Sequence, residues 1–87
     1  MTTREDEFEE LAREVEGRNF GHFTVRCDVV VDAPTGRMYI AVMVINNRNP
    51  DSLELPTIDL PKGWIVSDYW YQASAAGVQA GSIEKAR

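Results

Sequence analysis

Eighty-seven residues, 44% of them apolar, are enough for one folded domain (residues 1–87) and too apolar for a disordered chain. No apolar run approaches the ~18–20 residues that span a bilayer, and the charged residues 1–10 are unlike a signal peptide. The net charge of −5 argues against direct contact with nucleic-acid phosphates, and the lone Cys27 excludes an internal disulfide and fits a reducing, cytoplasmic setting.

The charge is unevenly placed. Residues 1–18 carry seven acids (Glu5, Asp6, Glu7, Glu9, Glu10, Glu14, Glu16) against Arg4, Arg13 and Arg18, while the rest of the chain is nearly balanced. Residues 3–16 read as an amphipathic helix, because Phe8, Leu11, Ala12 and Val15 fall on one stripe of a 3.6-residue repeat. Thr2 or Thr3 is placed to cap it, and the early acids suit the positive end of the helix dipole. Glu9–Arg13 and Glu14–Arg18 have the favourable i,i+4 order, and Gly17 marks the stop.

Residues 22–32 alternate as a half-buried strand, with Phe23, Val25, Cys27, Val29 and Val31 on one face. Ala33, Pro34, Thr35 and Gly36 form a turn, and residues 37–46 make the returning strand of a hairpin. That second strand is apolar on both faces, so it is expected to lie centrally and be covered on both sides. Residues 46–51 are a loop by composition. Residues 53–60 are extended, but Pro56 restricts them to an edge strand or a connector. Residues 64–72, dense in Trp, Tyr, Ile and Val, form a further strand. In the tail, residues 73–87, Gly77 and Gly81 each cost a helix ~1 kcal/mol, so it is expected to be weakly helical or irregular.

The expected architecture is α+β: an N-terminal helix packed on a three- to four-stranded antiparallel meander. The αβββα order resembles the double-stranded-RNA-binding domain in topology alone, since the basic second-helix residues of that family have no counterpart here.

Catalytic chemistry finds no pattern. His22 and Cys27 are the obvious base and nucleophile, but they lie five residues apart beside a strand, ~16 Å in extended chain, whereas a dyad needs ~3 Å. Cys27 is read as a small core hydrophobe. Asp28 and Asp32 share a face with His22 and Arg26, yet four residues of strand separate the two carboxylates by ~13 Å, so no metal is expected. Asp32 is expected to pair with Arg37 across the hairpin. The glycines are scattered singly, so no phosphate loop and no cofactor site is read.

The aromatic strand is the most informative segment. Alternation puts Trp64, Val66, Asp68 and Trp70 on one face, and Ile65, Ser67, Tyr69 and Tyr71 on the other. One narrow helix covers only one face. The tryptophans are therefore expected inside and the tyrosines partly exposed beside the 46–51 loop, where they would suit a protein interface. The expectation is a non-enzymatic, protein-binding module, an inhibitor or accessory protein that occludes a larger partner, nucleic-acid-handling proteins being one such class. It is similar in style to the small inhibitors of phages and mobile elements. The candidate contacts are Tyr69, Tyr71, Asn47, Arg48 and the acids Glu5, Glu9 and Glu16, whose negative face would meet a basic groove. The alternative is a homo-oligomeric structural subunit.

Overall fold

The computed structural model describes residues 4–67, 69–73 and 77–86. The expectations placed on Thr2, Thr3 and Asp68 lie outside those residues. Helix α1 runs Arg4–Glu16 and buries the expected stripe, Phe8, Leu11, Ala12 and Val15. It closes as the N–H of Gly17 donates to the Arg13 carbonyl at 3.0 Å. Of the two helical charge pairs, Glu14–Arg18 forms at 2.8 Å, whereas Glu9 and Arg13 make no ion pair.

Strands β1 (Phe23–Asp32) and β2 (Arg37–Asn46) form the hairpin, in register from Phe23 opposite Asn46 to Asp32 opposite Arg37. Gly36 takes φ 69° at the turn, a left-handed conformation that a side chain disfavours, and its N–H reaches the Asp32 carbonyl at 2.7 Å. Asp32 and Arg37 face each other, but the expected ion pair between them is replaced. Thr35 Oγ1 donates to Asp32 Oδ2 at 2.8 Å, and the Arg37 guanidinium salt-bridges to Glu84.

The second half of the chain departs from expectation. The strand expected over 64–72 is broken into β3 (Trp64–Val66) and β4 (Tyr71–Gln72). Residues 53–60 form no strand and serve as the extended connector. The tail, expected to be weakly helical or irregular, supplies β5 (Gln79–Lys85), which is a central strand. The sheet has five antiparallel strands in the order β1-β2-β5-β3, with β4 also pairing to β5. The architecture is α+β, a helix on an antiparallel sheet. The final element inserts between β2 and β3, so the order is neither a simple meander nor αβββα.

Strands β3 and β4 lie end to end along β5. Val66 faces Ile83 and Tyr71 faces Ala80, so the register slips by two residues between them. A slip of two preserves side-chain alternation, whereas a slip of one would have turned Tyr71 to the opposite face.

Residues opposite one another in register share a face. Val25 and Cys27 of β1, Ile40, Val42 and Val44 of β2, and Ile83 of β5 all turn toward α1 and form the buried core. Helix α1 packs over β1 and β2. Ile58, Leu60, Trp64, Val66 and Trp70 also pack against this core. The Phe8 and Trp64 rings meet edge-to-face at 4.7 Å and 74°. The connector therefore joins the helix on the same side of the sheet. The opposite face of β2, expected to be covered, is left open: Met43 is 40% exposed.

Candidate binding face

The open side of the sheet carries the odd residues of β2 (Tyr39, Ala41, Met43), with Ala80 and Ser82 of β5 and Tyr71 of β4 beside them. Ala41 stands opposite Ser82, and Met43 opposite Ala80. These short side chains leave a floor, and the larger residues Tyr39, Met43, Tyr69 and Tyr71 rise around it as walls. The result is a groove of about 430 Å³. Asp32 and Arg37 lie at the hairpin end of its lining.

The tyrosines stand out into solvent: Tyr69 is 73% and Tyr71 51% exposed. Their ring centroids are 5.9 Å apart with planes tilted by 39°. The segment between β3 and β4 is held from below. A Cβ added to Gly81 would lie 2.8 to 2.9 Å from Cδ2, Cε2 and Cε3 of Trp70, so the indole lies flat against the bare backbone of β5 on the helix side. The N–H of Tyr69 donates to Ser67 Oγ at 3.1 Å, and the N–H of Ser67 to the Ser82 carbonyl at 2.7 Å. Trp70 is thus an anchor pointing inward between two tyrosines pointing outward, as alternation requires.

The other candidate contacts fall elsewhere. Glu5 and Glu9 are exposed on the helix, on the far side of the sheet from the tyrosines. Glu16 is exposed but engaged. Its Oε1 accepts the N–H of Cys27 at 3.2 Å and lies 3.9 Å from Arg26 Nε. It caps a donor on the outer edge of β1, a structural contact that the sequence reading missed. Asn47 is also committed, donating from Nδ2 to Thr24 Oγ1 at 2.7 Å and from its backbone to the His22 carbonyl at 2.8 Å. Arg48 is exposed, and its N–H is held by Asn46 Oδ1 at 3.0 Å.

The 46–51 loop, expected beside the tyrosines, contributes none of the residues that line the tyrosine groove. Buried Asn46 organises it, with Oδ1 accepting from both Arg48 and Asn49. The Pro50 carbonyl then fills the space where a side chain at Gly77, φ 81°, would stand. The predicted contacts therefore divide among three regions. Only Tyr69 and Tyr71 come together, and they are joined by Tyr39 and Met43, which the sequence reading did not single out. A signal for that pair was present in the two-faced apolar pattern of β2.

Cys27 is buried under the helix, and burial pushes its thiol up from 9.0 to about 11, with the carboxylates of Glu16 and Asp28 adding to the effect. Such a thiol is a poor nucleophile at neutral pH. The His22 ring lies against Phe23, 4.3 Å between centroids. Among the described residues no three His, Cys, Asp or Glu side chains converge as a metal-binding group. None of the helices there is long and apolar enough to cross a membrane. No protein-family model, curated protein or solved structure matches this chain.

Proposed function

We propose that this protein is a non-enzymatic binding module that uses the helix-free face of its sheet to dock on a larger protein partner, as an inhibitor or accessory subunit. The observation that carries the reading is the placement of Tyr69, Tyr71, Tyr39 and Met43 around a floor of Ala41, Ala80 and Ser82, with no covering element among the described residues. Tyrosine and methionine are enriched where proteins meet, since each offers a large apolar surface that tolerates water when unbound. The anchoring of Trp70 on Gly81 presets the segment that bears Tyr69 and Tyr71, so little conformational entropy is lost on docking.

The groove gives no support to the acidic helix as part of the same surface. Glu5 and Glu9 lie on the opposite side of the sheet, so a partner seated on the tyrosines is not also held by them. The phage-like style and a cytoplasmic location belong to the same proposal.

The test is to capture a partner from the source cell with the wild-type protein and to repeat the measurement with Tyr69→Ala and Tyr71→Ala. Each change should leave the melting temperature nearly intact and weaken the complex by ~1–4 kcal/mol, the range of interface hot spots. Undiminished binding by both variants would move the interface elsewhere.

A second reading, self-assembly, is favoured by the outer edge of β1. There the N–H of Cys27 turns away from β2 to Glu16, so by alternation those of Val29 and Val31 also point outward. Val31 is 51% exposed on that edge, which makes it a template for a second strand. A stable dimer at micromolar concentration would favour this reading, and a monomer the hetero-complex.

A further inference from the structure

Resting on that reading of the tyrosine face, we infer that the groove receives a cationic side chain, an arginine, from a basic segment of the partner. The walls are the first reason. Tyr39, Tyr69 and Tyr71 line the groove. The negative quadrupole of a tyrosine ring face attracts a cation, and a planar guanidinium stacks on such a ring better than an ammonium does. The molecule already contains one instance: Arg37 Cζ lies 5.3 Å from the centroid of Tyr39.

The charge balance is the second reason. Arg37 is the one cation among the groove-lining residues, and its charge is met by Glu84. Asp32, at the same end, has its carboxylate met only by the Thr35 hydroxyl among the described residues, and exposed Asp28 lies on the same face of β1. Arg26, the other cation on this face, lies 3.9 Å from the Glu16 carboxylate, so the charges left without an opposite ion among the described residues here are the carboxylates of Asp32 and Asp28, in a chain whose net charge is −5. A guanidinium can lie along the rings and fork toward a carboxylate, while an acidic segment would meet repulsion there. The floor completes the fit. Ala41, Ala80 and Ser82 are short enough to let a flat side chain sink between Tyr71 and Tyr39.

The experiment titrates the full chain with a hexa-arginine peptide and, separately, with hexa-citrulline and hexa-proline peptides, following the tyrosine ring resonances by NMR. Hexa-arginine should shift Tyr39, Tyr69 and Tyr71 and bind at least about tenfold more tightly than the uncharged citrulline analogue. Tyr71→Ala and Asp32→Asn should each weaken it, and Glu9→Lys on the far side should not. Equal shifts with citrulline or proline would overturn the inference in favour of an apolar occupant. Binding weakened by Glu9→Lys and untouched by Tyr71→Ala would overturn it in favour of the acidic helix. If the arginine peptide fails while the tyrosine variants still lose the native partner, the cationic occupant is refuted and the binding face stands.

Discussion

Replacing Gly81 by alanine tests the anchor on which the tyrosine face depends. Gly81 lies in a strand and has no positive φ, so its backbone accepts a side chain. In isolation, Gly→Ala would stabilise by ~0.4–1 kcal/mol through the unfolded chain. The new methyl group, however, would lie 2.8 to 2.9 Å from three atoms of the Trp70 indole, well inside the ~3.5–4.0 Å of carbon contact. Either the ring lifts or β5 shifts, an overpacking cost of ~1–3 kcal/mol. The net effect is a loss of about 1–2 kcal/mol, or roughly 5–15 °C in melting temperature for a domain of this size. The assay is thermal denaturation by circular dichroism of wild type, Gly81→Ala, Trp70→Ala and the double variant. In the Trp70→Ala background the steric conflict is gone, so Gly81→Ala should become neutral or stabilising. If Gly81→Ala costs the same in both backgrounds, the indole does not rest on Gly81, and Tyr69 and Tyr71 are not held as described.

Leu11→Asp buries an unpaired carboxylate beneath the helix and should cost several kcal/mol, whereas Glu9→Lys on the exposed side should change stability by well under ~1 kcal/mol. Comparable melting shifts would mean the helix is not docked through its apolar stripe. Cys27 should resist alkylation in the native protein and react freely once denatured. Folding raises its thiol from 9.0 to about 11, so the unfolded chain gives up its proton first as pH rises. Its contribution is whole below about pH 9 and is lost by about pH 11, so stability should fall more steeply across that window in wild type than in Cys27→Ala. Trp70→Ala should cost ~3–5 kcal/mol of folding stability, in contrast to the nearly neutral tyrosine variants.

The helix, the hairpin and the inward or outward sense of Trp64, Tyr69, Trp70 and Tyr71 were set by local pattern. Phe8, Leu11, Ala12 and Val15 repeat at helical spacing, and the β1 alternation places Val25 and Cys27 in the core, as observed. The outward tyrosines survived even the break between β3 and β4, because a two-residue slip keeps the period of two. The tail could not be read the same way. Gln79, Ala80, Gly81, Ser82 and Glu84 carry almost none of the side chains that favour strands, yet the segment lies at the centre of the sheet. Its residues are small for reasons located elsewhere in the chain: Trp70 occupies one face of Gly81, and Tyr71 stands opposite Ala80 on the other. The groove was hidden for the same reason, since its floor and walls come from β2, β4 and β5. Tertiary pairing decided both, because strand character there comes from long-range ladder bonds and neighbouring rings, which local propensity does not encode.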